Sequence, residues 1–384
     1  MLSDRPIAID YTAAHEQGAG IGRLVRDLIG GLAALDRQTP YKLFVAGAEK
    51  SKLPPIPGPN FTWKATHISP LWFARLWHRA QVPLVVESFV GPVALFHATD
   101  FTLPPTLPST KTILTVHDLS FVRTPETTPP VLKIYLDKVV PRSVRRADHV
   151  IADSQATKDD LIELYGTPPD KISVVLSGVS PRYVPIVDSA QLNAVRQRYH
   201  IPEGRRYIFS IGTVQPRKNY GRLMEALAML GPAFEDVILV IAGGKGWLDN
   251  PIFETVKRLG LEDRVFFTGF VEDADVPALY SGATLTAYPS LYEGFGFPVA
   301  ESMACGTPVV TSTVSSMPEV AGDAALLVDP YNSEAIADAL RRLLDDVDLH
   351  KRLKLAGLEQ AQQFTWEKSA QTLQAIYQKV LNHA

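Results

Sequence analysis

Two glutamates bracket a short glycine-rich segment in the second half of the sequence, Glu293-Gly-Phe-Gly-Phe-Pro-Val-Ala-Glu301. Gly294 and Gly296 carry no side chain, so a ligand such as a phosphate can approach the backbone there. Glu301 can accept hydrogen bonds from both hydroxyls of a ribose, and Glu293 can accept them from sugar hydroxyls. The predicted binding set of this segment is Glu293, Gly294, Phe295, Gly296, Phe297 and Glu301.

The segment is predicted to connect a strand to a helix. The apolar run Thr284–Tyr288 precedes it, Pro298 suits the first helical position, and Gly306 suits the position after the helix ends. The helix therefore begins at Phe297, where its free N–H groups and its dipole favour an anion. A simpler interpretation stays open, in which Glu301 only stabilises the first helical turn and the glycines only form a turn.

A second candidate cluster is Gly212-Thr-Val-Gln-Pro-Arg217-Lys218-Asn219, between the predicted strand Tyr207–Ile211 and a helix. Arginine offers a planar fork to phosphate oxygens and lysine a compact charge, so the pair suits a diphosphate leaving group. Taken alone, Arg217 and Lys218 are also compatible with a solvent-exposed basic turn.

A third candidate is the apolar strand Thr112-Ile-Leu-Thr-Val-His117-Asp118, which ends in two polar residues. Ligands of open α/β sheets bind beyond the carboxyl ends of the strands, so His117 and Asp118 are predicted to face a ligand. A lone histidine in this position is also compatible with a structural, hydrogen-bonded role.

Glycines also open the first predicted helix, in Gly18-Ala-Gly20-Ile-Gly22-Arg23. A dinucleotide-binding fold would need an acidic residue at the end of the second strand, where this sequence has Ala46-Gly47. The pattern therefore disfavours a dinucleotide site. It favours a loop whose backbone, at Gly20, approaches a phosphate.

Short apolar runs alternate with helical stretches along the chain, which predicts α/β domains with parallel sheets. The alternation stops over Pro181–Ala190 and restarts at Tyr207, and 384 residues exceed the usual size of one hydrophobic core. We predict two Rossmann-like, doubly wound domains facing each other across a cleft, at residues 1–185 and 186–365. A C-terminal helix at 366–384 is expected to pack back toward the first domain.

Composition narrows the functional classes. A net charge of -3 disfavours nucleic acid as the main partner, and the single Cys305 excludes an intrachain disulfide framework. No uncharged apolar run reaches about 18 residues, and the charges within Met1–Asp10 do not suit a secretory signal. A cytoplasmic location is expected, with peripheral contact at the inner membrane face as an open alternative.

The acidic pair of the Glu293–Glu301 segment, with seven residues between, resembles that of the family-4 retaining glycosyltransferases, which have the GT-B fold. The similarity extends through Ser302–Val310 and, more loosely, over nearly the whole chain. It implies that Arg217 and Lys218 hold the donor diphosphate and that His117 touches the donor sugar next to the reacting carbon. It further implies a catalytic set of His117, Arg217, Lys218 and Glu293, a donor contact near Gly20, and orientation or acceptor binding by Asp118.

The resemblance implies that a hexose moves from a nucleoside diphosphate sugar to a hydroxyl of a glycan or of a lipid-linked sugar, with retention. The segments His117–Phe121 and Gly244–Leu248 resemble those of mannosyltransferases, so GDP-mannose is expected first and UDP-glucose second. Two alternatives remain, namely a sugar-nucleotide epimerase or hydrolase on the same scaffold, and a non-catalytic sensor of sugar nucleotides. The oligomeric state is not predicted.

Neither a metal nor an organic cofactor is expected. Arg217 and Lys218 already supply the charge that would neutralise a diphosphate. The acidic pair Asp273-Ala-Asp275 resembles a metal-binding motif of another glycosyltransferase fold, but it precedes Val276–Gly282 and is predicted to cap that helix.

The run Leu71-Trp-Phe-Ala-Arg-Leu-Trp-His-Arg79 mixes large apolar and basic residues. It is compatible with a buried core helix and also with an interfacial helix. In the second case, the run and the basic cluster Arg142, Arg145 and Arg146 could rest on an anionic membrane and collect a lipid-linked acceptor.

Overall fold

The computed structural model describes residues 5–18 and 20–382, so the calls on Met1–Asp4, Ala19 and the last two residues lie outside the described residues. The chain divides into two compact units. The first comprises Met1–Leu119, Val131–Gly178 and Thr365–Ala384, and the second comprises Ser120–Pro130 and Val179–Phe364.

The first unit holds a parallel sheet in the order β3-β2-β1-β4-β5-β6-β7. Its strands are β1 Ile7–Asp10, β2 Tyr41–Ala46, β3 Phe61–Thr66, β4 Leu95–Ala98, β5 Lys111–Val116, β6 His149–Ala152 and β7 Ile172–Val174. The strand order reverses between β1 and β4, and ligands of such sheets bind beyond the carboxyl ends at this point.

The second unit has a similar architecture, with a parallel sheet in the order β10-β9-β8-β11-β12-β13. Its strands are β8 Tyr207–Ile211, β9 Ile238–Ala242, β10 Val265–Gly269, β11 Leu285–Tyr288, β12 Val309–Ser312 and β13 Ala325–Val328. The strand order reverses between β8 and β11, so the loops that follow these two strands converge.

Helices connect the strands. In chain order they are α1 Thr12–Glu16, α2 Ile21–Leu35, α3 Pro70–Phe73, α4 Glu87–Val90, α5 Ser120–Arg123, α6 Pro130–Arg146, α7 Gln155–Tyr165, α8 Ser189–Arg198, α9 Tyr220–Ala228, α10 Asn250–Leu259, α11 Val276–Ser281, α12 Phe297–Ala304, α13 Met317–Ala321, α14 Ser333–Asp345, α15 Val347–Ala361 and α16 Trp366–Asn382. None of the helices within residues 5–18 and 20–382 combines the length and apolar character that a membrane span requires.

The sheet of the second unit is covered on both faces. Strand β9 is a fully buried apolar run, as expected for a parallel strand between two helix layers. Leu239 packs with residues of α9 and α14, whereas its neighbour Val240 packs with residues of α8 and α11. Successive residues of one strand therefore enter two different cores, which defines a doubly wound sheet.

The C-terminal helix α16 belongs to the first unit, where it packs against α2. Gly31 of α2 permits this contact, because a Cβ atom there would lie 2.8 Å from the carbonyl oxygen of Trp366. Tyr377 is buried on the other side of the interface and its hydroxyl lies 2.8 Å from Nδ1 of His97 on β4. Hydrogen bonding thus reinforces the apolar packing of the last helix.

Candidate active site

The loop between β11 and α12 has the backbone that its glycines and proline predict. The helix begins at Phe297, with Pro298 in its first turn, and Gly296 caps it at a φ of 108°. The φ of Gly296 requires glycine, and a Cβ atom there would also displace the flexible end of Met317, whose Cε would lie 2.3 Å away. Pro298 has no N–H group, and the N–H groups of Val299 and Ala300 donate to the carbonyl oxygen of Gly296, so the helix dipole is what favours an anion at this end.

Glu293 lies at the centre of a buried polar cluster. Its Oε1 accepts hydrogen bonds from Lys218 Nζ at 2.7 Å, from the Tyr288 hydroxyl at 2.9 Å and from Ser290 Oγ at 2.5 Å. Its Oε2 accepts one from Nη1 of Arg217 at 2.7 Å. Both carboxylate oxygens are therefore engaged within the protein, with three donors on Oε1 and one on Oε2.

The charge state of Glu293 follows from these contacts. Burial alone raises the pKa of a carboxyl group, but Arg217, Lys218 and the hydrogen bonds outweigh it and hold the pKa of Glu293 at about 2. The group is an anion at neutral pH, and it compensates one of the two adjacent positive charges. The cluster of these three side chains keeps a net charge of about +1, which suits a bound anion.

Arg217 and Lys218 lie in a single turn of 3-10 helix after β8, followed by Asn219 in the left-handed conformation. The Asn219 amide donates to the carbonyl oxygens of Pro289, at 2.9 Å, and Pro330, at 2.6 Å. The side chains of Arg217 and Lys218 are only 16% and 10% exposed. The interpretation as a solvent-exposed basic turn is therefore wrong, because Asn219 fastens the turn against the loop that carries Glu293.

Glu301 lies in the second turn of α12 and is buried, and the Tyr280 hydroxyl donates to its Oε2 at 3.2 Å. The interpretation that Glu301 only stabilises the first helical turn is wrong, since that turn contains no acidic residue. Seven residues separate Glu301 from Glu293 along the chain, and the loop places one carboxylate at each end of the glycine segment.

Two residues of this cluster, Tyr288 and Ser290, were not predicted. Both are buried, both hydroxyls donate to Glu293, and the Lys218 ammonium also bonds the Tyr288 hydroxyl. Burial and the nearby carboxylate raise the pKa of Tyr288, so its hydroxyl keeps its proton. Tyr288 is the last residue of β11 and Ser290 follows it by two residues, and this position at the carboxyl end of the strand is the signal that could have identified them.

In the first unit, His117 follows β5 and is buried. Its Nδ1 lies 2.8 Å from Oδ2 of Asp153, which follows β6, and its Nε2 lies 2.8 Å from the carbonyl oxygen of Thr99, which follows β4. Asp118, next to His117, is half-buried. Asp153 was not predicted, although an acidic residue directly after an apolar strand is the same signal that singled out His117 and Asp118.

The glycine loop of the first unit leads into α2, with Gly20 as the residue before the helix at a φ of 58°. Arg26 closes this loop, since its guanidinium donates to the carbonyl oxygens of Ala14 at 2.6 Å, Gln17 at 2.7 Å and Gly18 at 2.8 Å. The carbonyl groups turn inward to Arg26, which leaves the start of α2 as the N–H-rich end of the loop.

The predicted capping by Asp273 and Asp275 is wrong. Asp275 precedes α11, but its side chain accepts hydrogen bonds from Arg198 Nη1 at 2.6 Å and from the Tyr199 hydroxyl at 2.8 Å, and it does not cap the helix. Asp273 pairs with Arg182 at 3.2 Å. A charged partner from α8 outcompetes the local N–H group. Within the described part of the chain, no group of three or more His, Cys, Asp or Glu side chains is placed to hold a metal ion.

The apolar and basic run Leu71–Arg79 fits both interpretations, the buried core helix and the interfacial helix, with different residues. It forms α3 and a turn of π-helix, Ala74–Arg79. Phe73 and Trp77 are buried and stack at 4.1 Å between ring centroids, whereas Leu71 and Trp72 are 60% and 55% exposed. The run therefore contributes to the core with one side and presents large apolar side chains with the other.

Solved structures with the same fold are glycosyltransferases and related enzymes. The chain aligns with sucrose-phosphate synthase from Thermosynechococcus elongatus at a TM-score of 0.77 and 21% identity, over 99% of this chain and 100% of that one. It aligns with WaaG, a glycosyltransferase involved in lipopolysaccharide biosynthesis, at 0.71 and 16% identity, over 96% and 99%. Two Rossmann-like units with this arrangement of strands have the GT-B fold, as predicted.

Sequence comparison assigns the family. The family profile described as Glycosyltransferase Family 4 matches residues 18–183, and that of the Glycosyl transferases group 1 matches residues 193–360. The chain is 32% identical over 371 residues to the O-antigen chain mannosyltransferase B of Escherichia coli, covering 93% of this chain and 95% of that protein. The protein belongs to the family-4 glycosyltransferases, which confirms the predicted family and the prediction that it is a glycosyltransferase.

Other relatives are longer. The serotype-specific mannosyltransferase WbdA of Escherichia coli is 29% identical over 269 residues, which cover 68% of this chain and 32% of that protein. The chain thus matches about a third of the length of WbdA, and almost the full length of the O-antigen chain mannosyltransferase B.

Proposed function

We propose that this glycosyltransferase is a retaining mannosyltransferase that uses GDP-mannose and acts on a hydroxyl of a glycan or of a lipid-linked sugar. The buried cluster of Arg217, Lys218 and Glu293 beside the N-terminus of α12 carries the proposal. Its net positive charge and the positive end of the α12 helix dipole suit the diphosphate of a sugar nucleotide. The mannosyltransferase names of the relatives support mannose as the sugar, and UDP-glucose is the second candidate donor.

In this mechanism the two cations stabilise the charge that develops on the diphosphate as the sugar departs. Glu293 holds both cations in place. Its carboxylate is occupied by four hydrogen-bond donors, two of them cations, which makes it poorly suited to attack the sugar as a nucleophile. This supports attack from the face of the leaving group, in which the departing phosphate helps to deprotonate the acceptor. Arg217 and Lys218 supply the neutralising charge, so the reaction is proposed to need neither a metal nor an organic cofactor.

The nucleotide can be tested before the reaction. GDP at 100 times its Kd is expected to stabilise the fold by about 2.7 kcal/mol, seen as a rise in Tm, whereas UDP, ADP and dTDP at the same concentration give smaller rises. Stabilisation by UDP alone would indicate UDP-glucose, the second candidate, as the donor. Glu301→Gln should weaken the response to GDP about 10- to 100-fold in Kd, since a charged hydrogen bond contributes about 1.5 to 3 kcal/mol.

The reaction is tested by nucleotide release from GDP-mannose. Release that depends on an added mannoside acceptor, with an α-linked product from the α-linked donor, is the expected result. Release of equal rate without acceptor would indicate a hydrolase or an epimerase, and binding without turnover would indicate a sensor.

We further propose that the first unit contacts an anionic membrane surface. Exposed apolar side chains stand on α3 and at the start of α6, at Leu71, Trp72, Val131 and Ile134. The π-helical turn Ala74–Arg79, which continues α3, lies next to α6, because His78 and Tyr135 are 6.5 Å apart between ring centroids. The basic residues of the same region include Arg75, Arg79, Lys138, Arg142, Arg145 and Arg146. Apolar insertion combined with basic charge suits an anionic lipid surface, where a lipid-linked acceptor would lie.

Binding to vesicles tests this surface. The protein is expected to co-sediment with vesicles that contain phosphatidylglycerol, less so as salt is raised, and little with pure phosphatidylcholine. Replacing Trp72 and Ile134 by Ser should weaken binding about tenfold or more, since each removes buried apolar area. Leu355→Ser, an equally exposed leucine of the second unit, is the matched control. Equal binding to both kinds of vesicle would contradict the charge component, and binding to neither would remove the proposal.

A further inference from the structure

The ring of His117 is held between two hydrogen-bond acceptors. Nε2 lies 2.8 Å from the carbonyl oxygen of Thr99, and a carbonyl oxygen can only accept, so Nε2 carries a hydrogen. Nδ1 lies 2.8 Å from Oδ2 of Asp153, and an ionised carboxylate also only accepts. With Asp153 ionised, both ring nitrogens carry hydrogen and the ring is a cation.

The surroundings decide where the proton between Nδ1 and Asp153 resides. Both side chains are about 5% exposed, so the choice lies between a buried ion pair and a buried neutral pair. Asp100, after β4, adds a second negative charge that favours the cationic ring. Burial and the adjacent Asp118 raise the pKa of Asp153, and the His117 ring opposes them by its charge and its hydrogen bond. His97 on β4 is neutral, with a pKa of about 3 because of burial, and its two nitrogens bond Tyr377 and Thr115.

The pKa values agree with this geometry. Burial alone lowers the pKa of a histidine, but Asp153, Asp100 and the two hydrogen bonds outweigh it and raise the pKa of His117 to about 9. The edge of the Phe101 ring closes another side of the imidazole, with ring centroids 5.3 Å apart. The proton therefore stays on the ring throughout the neutral range.

We propose that Asp153 is a positioning residue that keeps His117 as an imidazolium, and that His117 therefore acts as a hydrogen-bond donor and fixed positive charge and not as a base. This inference rests on the proposed function, in which His117 contacts the donor sugar. A bound substrate oxygen can replace the Thr99 carbonyl as the acceptor for Nε2–H, while Asp153 retains Nδ1–H and the orientation of the ring. The positive charge then opposes the negative charge that develops on the leaving diphosphate.

The substitution Asp153→Asn separates charge from geometry, since an amide oxygen can still accept from Nδ1–H but carries no charge. The ring is expected to lose its proton in the neutral range. Turnover should therefore fall about 10- to 100-fold at pH 8, because a charged hydrogen bond is lost. It should recover as the pH is lowered toward 6. The wild type should show no inflection from this group between these pH values, because its cation persists up to about pH 9.

Two control variants are a conservative substitution of Asp153 and a substitution of a remote carboxylate. Asp153→Glu restores the charge and should restore most of the wild-type pH profile. Asp159→Asn removes an exposed carboxylate from α7 and should leave the profile unchanged. Tm values of all variants show whether each one is folded. An Asp153→Asn profile of wild-type shape, in a folded variant, would overturn the proposal.

A substrate-free measurement separates this inference from the proposed function. With 15N-labelled histidine, both ring nitrogens of His117 should carry protons at pH 7.5, and His117→Gln identifies its signals among the nine histidines. An unprotonated nitrogen in the wild type at this pH would overturn the proposal. Failure of GDP-mannose as a donor would not change this spectrum.

Discussion

Replacing Arg217 by Ala is expected to lower turnover by about 10² to 10³-fold, the typical cost of removing one donor that stabilises developing charge. The guanidinium is held by Oε2 of Glu293 and by the carbonyl oxygen of Tyr292 at 2.6 Å, so it is already oriented before a substrate binds. The effect should fall on kcat more than on KM, because charge on the diphosphate grows as the sugar departs.

Nucleotide release from the donor measures this effect. Arg217→Lys keeps the charge but loses the planar fork, and it should recover only part of the rate. Arg352→Ala is the matched control, since Arg352 is an exposed arginine of the same unit, on α15. Near-normal turnover of the Arg217→Ala variant, with a folded protein by Tm, would contradict the assignment of this side chain to the diphosphate.

Glu293→Gln is expected to destabilise the second unit by about 3 to 5 kcal/mol and to reduce turnover at the same time. The substitution leaves Arg217 and the buried Lys218 ammonium without their anionic partner. Urea unfolding at pH 7 measures the stability loss. Glu359→Gln, an exposed glutamate on α15, should change it by less than about 0.5 kcal/mol.

The stability difference should also depend on pH. The pKa of Glu293 is lowered from 4.5 to about 2 in the folded protein, so its contribution is present above about pH 4.5. That contribution is lost as the pH falls through about 2, because the wild-type carboxylate then takes up a proton. The gap between the wild type and Glu293→Gln should therefore narrow as the pH falls below about 4.5. A gap that stays constant over this range would show that the lost stability does not come from the charge.

Contacts between residues that are distant in the sequence explain where interpretation from the sequence failed. Asp275 stands at the start of a helix, where capping is the local preference, yet Arg198 of α8, 77 residues away, takes its carboxylate. Considered alone, Arg217 and Lys218 are compatible with an exposed turn. They are buried because Asn219 packs against two carbonyl groups that are distant in the sequence. No window of sequence contains both partners of either contact.

The sequence by itself determined the features that depend on local backbone chemistry. Glycine at position 296 and proline at position 298 specify the turn and the start of α12, and buried apolar runs specify the parallel strands. Only the tertiary structure decided which charges meet. Glu293 and Arg217 are 76 residues apart, and His117 and Asp153 are 36 apart, and they meet because parallel strands bring their carboxyl ends to one edge of a sheet. Opposite charges that meet at that edge outweigh the effect of burial and hold these acids and bases in their charged forms.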